Sequence, residues 1–188
     1  FLERGKYMNI KDLSKNNKII NYFVELAKIP SPSLKEEKVM QKIIELLNVE
    51  NIDAKLDSYG NVIAKIKATD LTKQSLLLSA HADVVGDSSP INIKISEDKK
   101  FFETDKTRTL GGDDKMGIAV AIHLAKTIAQ SDFLHGGLEL VFTRDEEQSL
   151  SGIHNLDTTQ FNSKYVIVID SDTLGDFLTS GSSYTWGF

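Results

Sequence analysis

The chain has 188 residues, 40% of them hydrophobic and 26% charged, as in an ordinary globular protein long enough to bury a core. Its 22 basic and 27 acidic residues give a formal net charge of −5, which offers no electrostatic support for binding nucleic acid or an anionic membrane. The sequence contains no cysteine, so disulfides and thiolate ligands are excluded and a metal site would have to use His, Asp and Glu.

No apolar run approaches the roughly 18 residues that a membrane-spanning helix needs. Residues 1–7 contain no apolar core of a secretion signal, and Met8 is a candidate natural start, which would make those residues an extension. We therefore expect a cytoplasmic protein.

Two helices are predicted at the start of the chain. Apolar residues at helical spacing favour a helix over 17–29, which Pro30 would end because proline disfavours helix at the residue before it. Ser33 and Glu36 are spaced as a capping box, which predicts the start of a second helix. The expected apolar face of that helix carries Val39, Met40, Ile43, Ile44 and Leu47.

The next segments favour strands. Alternating segments on both sides of a turn at 59–61 predict a hairpin or a pair of edge strands over 55–67. A continuous apolar run at 76–78 predicts a strand buried on both faces. The polar region over 83–109 is irregular, with a weak strand pattern at 91–95.

The second half of the chain alternates helix and strand. A helix is predicted over 115–130 and a buried strand over 138–143. A short helical piece at 157–161 precedes another buried strand over 165–169, and residues 178–188 resemble the beginning of a further strand.

Buried strands that alternate with amphipathic helices predict an α/β fold with a largely parallel central sheet. No internal repeat, low-complexity tract or linker interrupts the chain. We therefore expect one domain over residues 17–188, preceded by an N-terminal extension over residues 1–16.

The most informative stretch is 110–117, in which Asp113 and Asp114 stand between glycines at the entrance to a predicted helix. Glycine allows a close approach to the backbone, and a carboxylate is favoured at a helix N-terminus. Divalent cations readily take such carboxylates as ligands. Alone, the stretch is a weak signal, since loops of acidic residues and glycine are mostly turns, and its meaning depends on the other acidic residues.

Acidic and histidine side chains follow the ends of all three predicted buried strands. These residues are His81, Asp83, Asp145, Glu146, Glu147 and Asp170, and Asp113 joins them from the helix entrance. Because ligands bind at the carboxyl ends of strands in open α/β sheets, we expect these side chains at one edge of the sheet. So much negative charge would repel itself, and a pair of divalent cations about 3.5–4 Å apart would relieve the repulsion and activate water.

Each motif also has an alternative interpretation. The stretch 81–83 alone fits a surface loop, and 145–147 fits solvated acid. The stretch 170–172 fits a turn or the aspartyl-phosphate motif of haloacid-dehalogenase-like phosphatases, but only 16 residues follow Asp172 and that motif needs a long downstream chain. An EF-hand fails at Leu174, where an oxygen ligand is required. The remaining histidines, which we interpret as structural, are His123, His135 and His154.

Four motifs, in this order, resemble those of the co-catalytic zinc exopeptidases and deacylases, which include tripeptidase T, aminoacyl-histidine dipeptidase, carboxypeptidase G and acetylornithine deacetylase. The motifs are His81-Ala82-Asp83, Gly112-Asp113-Asp114-Lys115, Thr143-Arg144-Asp145-Glu146-Glu147 and Ile169-Asp170. The resemblance begins near Ile19, and the tail through Ser180-Gly181 is similar to the tripeptidase and aminoacyl-histidine dipeptidase branches. It implies a three-layer catalytic domain that uses zinc.

The resemblance assigns metal ligands. It implies two zinc ions bridged by Asp113, with a cis peptide bond between Asp113 and Asp114. His81 and Asp170 would complete the protein ligands of one zinc ion, and Glu147 would bind the other.

The resemblance also implies two catalytic residues. Glu146 would be the general base that takes a proton from the zinc-bound water and passes it to the leaving amine. Asp83 would hydrogen-bond the far nitrogen of His81 and so fix the tautomer of that ring.

The chain departs from the family pattern mainly in length. Relatives carry an inserted lid or dimerisation domain, which can form a homodimer, before the catalytic domain resumes and supplies a last histidine. We therefore expect this chain to be the N-terminal part of the catalytic domain, with one zinc site short of a ligand and little activity alone. Ser149, where relatives often have glycine, is a minor departure.

The main hypothesis is a zinc-dependent peptidase that acts on short peptides, of the dipeptidase, tripeptidase or aminopeptidase type. A deacylase of N-acyl amino acids would use the same chemistry, and the sequence does not separate the two. A non-catalytic fragment or scaffold is a third hypothesis, against which the presence of Glu146 argues.

Overall fold

The structure is a computed structural model that describes residues 9–171, 173 and 175–179. Its helices are α1 (Ile10–Asn16), α2 (Lys18–Ala27), α3 (Glu37–Val49), α4 (Gly112–Ala129), α5 (Glu146–Ser149) and α6 (Ser151–His154), with a 3-10 turn at Thr158–Gln160. Its strands are β1 (Ala54–Leu56), β2 (Val62–Ile66), β3 (Leu76–His81), β4 (Lys94–Ile95), β5 (Phe102–Glu103), β6 (Leu138–Thr143) and β7 (Tyr165–Val168).

Five strands form one sheet in the order β1-β2-β6-β3-β7. β3 pairs in parallel with β6 and with β7, whereas β2 is antiparallel to both β1 and β6. β2 therefore runs against the other four strands, and the predicted α/β fold with a largely parallel central sheet is confirmed. The hairpin predicted over 55–67 corresponds to β1 and β2, and the weak strand at 91–95 to β4, which pairs with β5.

The main hydrophobic core lies between the helices and one face of the sheet. Phe23, Ile43 and Ile118 enter it from α2, α3 and α4, and Leu140 enters it from β6. Burial of these apolar side chains is the principal favourable contribution to folding. Among the described residues, no helix has both the length and the apolar character that a membrane span requires.

The other face of the sheet carries a much smaller cluster. Ile63, Leu77 and Val141 form it, and Leu156 and Phe161 pack against it. Because side chains alternate along a strand, Leu77 and Val141 point away from the helices while their neighbours in sequence point toward them.

β7 confirms the strand predicted over 165–169 but not its predicted burial. Tyr165, Val166 and Val168 are 63%, 53% and 62% exposed. Among the described residues, β7 is the last strand in the sheet order and pairs only with β3, so one neighbouring strand shields it. An apolar run in the sequence does not distinguish an edge strand from a central one.

The capping box predicted at Ser33 and Glu36 is wrong. α3 begins at Glu37, and its N-cap residue Glu36 makes no side-chain capping bond. The Ser33 hydroxyl instead donates to Asp83, and the Glu36 carboxylate accepts from Arg144. Both side chains thus bond to residues distant in the sequence and do not cap α3.

The ends of other predicted helices shift by a few residues. α2 begins after Asn17, whose side chain accepts a hydrogen bond from the Ile20 amide at 3.2 Å. Residues 10–16, which were expected to belong to an N-terminal extension, form α1, and Leu13 of this helix is buried in the main core.

The strand expected over 178–188 falls outside the described residues, except for 178 and 179, which form no strand. Asp172 and Ser180-Gly181 also fall outside the described residues.

Candidate metal centre

Three parallel strands deliver the predicted site residues to one edge of the sheet. β3 ends at His81, β6 ends just before the Asp145–Glu147 loop, and β7 ends just before Asp170. The parallel register aligns Leu76 with both Leu138 and Tyr165, so the carboxyl ends of the three strands lie side by side. This placement follows the general rule for ligand sites in open α/β sheets.

The buried Asp83 carboxylate connects two of these loops. One of its oxygens accepts a hydrogen bond from the Glu146 amide at 2.9 Å, and the other accepts from the Glu147 amide at 3.1 Å and the Ser33 hydroxyl at 2.7 Å. Burial alone would raise the pKa of Asp83, but His81 and these donors outweigh it and lower the pKa to about 2. Asp83 is therefore an anion that fixes the backbone of both glutamates.

His81 is buried and has an acceptor near each ring nitrogen. Its Nδ1 lies 3.0 Å from the carbonyl oxygen of Asp83 and 3.4 Å from the carboxylate of the same residue. A proton on Nδ1 that faces this carbonyl leaves Nε2 as the atom available to a metal ion. Nε2 lies 2.7 Å from Asp113 Oδ1 and 4.0 Å from Asp170 Oδ2.

Without a cation, the surrounding acids hold a proton on His81. Burial alone would lower the pKa of His81, but the carboxylates of Asp83, Asp114 and Asp113 outweigh it and raise the pKa to about 10. A positive charge is thus favoured at this point of the site. A divalent cation that displaced the proton would meet the same attraction.

The two adjacent aspartates, Asp113 and Asp114, lie in different surroundings. Gly111 takes a left-handed conformation with φ 71°, and the Asp113–Asp114 peptide bond is cis, as the resemblance implied. The Asp113 side chain is 65% exposed and faces His81 Nε2. The Asp114 side chain is buried and accepts from the amides of His81 at 3.2 Å and Gly117 at 3.1 Å.

Burial, with the nearby charge of Asp170, raises the pKa of Asp114 to about 8, although the charge of His81 opposes the increase. Asp114 was not predicted as a ligand, yet it lies among the candidate ligands. Its direct adjacency to Asp113 was the only sequence signal that pointed to it.

Two groups of side chains are close enough to hold a metal ion. One consists of His81, Asp113 and Glu147, the other of His81, Asp114 and Asp170, and within each group the ligand atoms lie within 4.8 Å of one another. All four predicted ligands are therefore brought together, with His81 in both groups, Asp113 in the group with Glu147 and Asp114 in the group with Asp170. Within the described part of the chain, neither group includes a second histidine.

Glu146 lies beside these groups without belonging to either. It lines a cavity of about 340 Å³, whose lining also includes the polar residues His81 and Asp170 and the apolar residues Val141 and Phe161. Burial, reinforced by the charges of Asp170, Asp83 and Asp113 against that of His81, raises the pKa of the Glu146 carboxyl. A carboxylate with a raised pKa is a stronger base than an ordinary one, which suits a group that accepts a proton from water.

α4 packs closely against this site at Gly117, so a larger side chain there should destabilise the fold. A Cβ atom there would stand 2.2 Å from Asp114 Oδ1 and 2.3 Å from the carbonyl oxygen of Ile169. We expect Gly117→Ala to lower the free energy of unfolding by about 1–3 kcal/mol, because the Ile169 carbonyl can move only with its backbone and the Asp114 carboxylate only by giving up its bond to the Gly117 amide.

Urea unfolding would measure the change, with Gly112→Ala as the control, because no atom lies within 4 Å of a Cβ atom at Gly112. Equal stabilities for the two variants would contradict the close packing at Gly117.

Comparison with known proteins agrees with this geometry. The sequence model of peptidase family M28 matches residues 61–182. Cytosol non-specific dipeptidase of Escherichia coli K12 is 26% identical over 166 residues, which cover 82% of this chain and 33% of the dipeptidase.

Two solved structures are also similar. Aminopeptidase PepT from Bacillus cereus has a TM-score of 0.74 and 26% identity over 83% of this chain and 43% of PepT. Aminoacylhistidine dipeptidase from Vibrio alginolyticus has a TM-score of 0.68 and 27% identity over 82% of this chain and 33% of the dipeptidase. The predicted resemblance is confirmed, and the chain spans between a third and a half of the length of these relatives.

Proposed function

The chain belongs to peptidase family M28, and from this premise we propose that it carries the metal centre and the general base of a zinc-dependent exopeptidase that cleaves short peptides. The observation that carries the proposal is the meeting of one imidazole and four carboxylates at the ends of three parallel strands, beside Glu146. These donors fit a divalent cation, because His nitrogen and carboxylate oxygen are zinc ligands and the acids need a positive charge.

In this proposal His81, Asp113, Glu147 and Asp170 hold zinc. When bound, zinc supplies a Lewis acid that polarises the scissile carbonyl and acidifies the attacking water. Asp113 Oδ1 lies 2.7 Å from His81 Nε2 and its side chain is largely exposed, so it would be available to an ion held by that nitrogen. Asp83 orients His81 and holds the amides of both glutamates, so it is a positioning residue.

Glu146 accepts the proton of the attacking water and returns it to the leaving amine. Its carboxylate lies outside both ligand groups and lines the same cavity as His81 and Asp170, so it can reach a substrate held there. Its raised pKa makes the carboxylate a stronger base toward the attacking water than an ordinary glutamate would be.

Zinc content per chain is the experiment that tests this proposal. His81 Nε2 belongs to both candidate groups and can bind one ion at a time, so we expect about one tightly held zinc ion per chain after loading and desalting. A second ion between Asp113 and Glu147 would lack a nitrogen ligand among the described residues. Two tightly held ions would point to a ligand from another chain, and no bound zinc would contradict the proposal.

The substrate class is proposed from the relatives named above, which are a dipeptidase, an aminopeptidase and an aminoacylhistidine dipeptidase. A panel of dipeptides and tripeptides, with N-acyl amino acids as the competing class, would test it. We expect peptide cleavage with a low rate for the 188-residue chain, since it covers less than half of these relatives. Preferential cleavage of N-acyl amino acids would identify a deacylase instead.

A further inference from the structure

A short segment between α2 and α3 contacts both loops that carry the proposed site. The residues that make these contacts are Ser31, Ser33 and Glu36. The Ser31 hydroxyl donates to the carbonyl oxygen of Ala82 at 2.8 Å, and the Ser31 carbonyl accepts from the Val84 amide at 2.9 Å. These bonds fix the backbone on both sides of Asp83.

Ser33 extends this support to a side chain. Its hydroxyl donates to Asp83 Oδ2 at 2.7 Å, the same oxygen that accepts from the Glu147 amide. Ser33 thus holds the carboxylate that in turn holds the two glutamates.

Glu36 supports the other loop directly. Its side chain is fully buried, and both carboxylate oxygens are used. One oxygen accepts from the amides of Leu34 at 2.7 Å and Asp145 at 3.0 Å. The other accepts from Nε and Nη2 of Arg144 at 3.0 and 2.8 Å.

The bonds of Glu36 fall at the point where the chain leaves β6 and turns into α5. Asp145 takes a left-handed conformation there, with φ 52°, which is uncommon for a residue other than glycine. Its amide donates to Glu36, while the next two amides, of Glu146 and Glu147, donate to Asp83. Three successive amides are therefore held by two buried carboxylates.

From this arrangement we infer that Glu36 is a positioning residue that sets Glu147 against His81 and Asp113. The inference rests on the proposed function, because it concerns the metal ligand Glu147. Glu36 contacts no candidate ligand itself and acts through the backbone of Asp145 and the side chain of Arg144. Loss of its charge would weaken the bonds of one carboxylate oxygen to Nε and Nη2 of the partly buried guanidinium, and the loop would shift.

The test measures zinc affinity separately for the two ligand groups of the 188-residue chain. Asp170→Asn leaves the group with Glu147, whereas Glu147→Gln leaves the group with Asp170. Glu36→Gln is added to each parent, and the zinc dissociation constant is measured by competition with a chromophoric chelator. We expect about a tenfold loss of affinity in the Asp170→Asn parent, the lower end of the range for outer ligand partners, and less than a twofold change in the Glu147→Gln parent.

Glu37→Gln is the matched control. Glu37 contacts the same Arg144 nitrogen at 3.1 Å, but its side chain is 70% exposed and it is not bonded to the Asp145 amide. Glu37→Gln also removes a negative charge beside Arg144, and we expect its zinc affinity to stay within twofold of the parent. Thermal melting of each metal-free variant would show that it is folded at the temperature of the titration.

The outcomes separate the inference from the proposed function. Equal losses in both parents, or no loss in either, would overturn the inference while leaving the metal centre intact. Absence of zinc binding by the unmutated chain would overturn the proposed function and the inference with it. Should Glu36→Gln fail to fold, Arg144→Lys removes the Nε and Nη2 bonds to Glu36, together with the contacts of Arg144 to Tyr59 and Glu37, and should weaken zinc binding only in the Asp170→Asn parent. Equal effects in the two parents would also overturn the inference.

Discussion

Replacing Glu146 by glutamine is expected to slow peptide cleavage by about 10²- to 10⁴-fold, the usual contribution of a general base, while zinc affinity stays close to that of the unmutated chain. Glutamine keeps the size of the side chain but cannot accept the proton. Because Glu146 belongs to neither ligand group, its replacement removes no metal ligand. Its backbone amide, which donates to Asp83, is also unchanged.

The measurement is the rate of product formation from a susceptible dipeptide or tripeptide at saturating zinc, followed in parallel with zinc affinity. Glu147→Gln is the comparison, since it should lower both the rate and the affinity. A Glu146→Gln variant that cleaves peptide at the unmutated rate would exclude Glu146 as the proton carrier. A variant that loses zinc as well would move Glu146 into the ligand set.

The sequence predicted the site residues because their positions depend on simple regularities. Apolar runs mark the strands at 76–78, 138–143 and 165–169, and a histidine or an acid follows each run. Parallel strands align their carboxyl ends, so the residues that follow them meet without any further information. The same runs could not show that β7 is an exposed edge strand, since burial depends on what lies beside a strand and not on its own residues.

The supports of the site were not predictable in this way. Glu36 and Arg144 are 108 positions apart in the sequence, and only folding brings them within 2.8 Å. The local pattern at Ser33 and Glu36 instead suggested a capping box, which is a short-range signal. In the folded chain the buried Glu36 carboxylate instead accepts two hydrogen bonds from Arg144, and charge-assisted bonds of this kind are stronger than a capping bond between neutral groups.

The role predicted for Asp83 depended on the family resemblance, whereas its place at the edge of the sheet followed from the end of a predicted strand. The structure places both its carbonyl and its carboxylate near His81 Nδ1, at 3.0 and 3.4 Å. Its bonds to the amides of Glu146 and Glu147 had no sequence signal, because backbone donors are not encoded by residue type. One buried anion thus orients the histidine and both glutamates.

Replacing His81 by alanine is expected to lower zinc affinity by more than about 100-fold, beyond the loss typical of an outer ligand partner. His81 is the only nitrogen donor in either candidate group of the described residues, and both groups share it. The change should therefore weaken every arrangement of zinc at this site, whereas Asp170→Asn or Glu147→Gln alone should leave one group complete.

Chelator competition would measure this loss, with His154→Ala as the control, since His154 is an exposed residue of α6 outside both groups. His81 is buried, so the melting temperature of the metal-free variant must be recorded to separate lost coordination from lost stability. If the His81→Ala chain is folded and binds zinc as tightly as the His154→Ala chain, the carboxylates alone hold the ion. His81 would then act through its charge on the acids around it, and the ligand set would have to be drawn from Asp113, Asp114, Glu147 and Asp170.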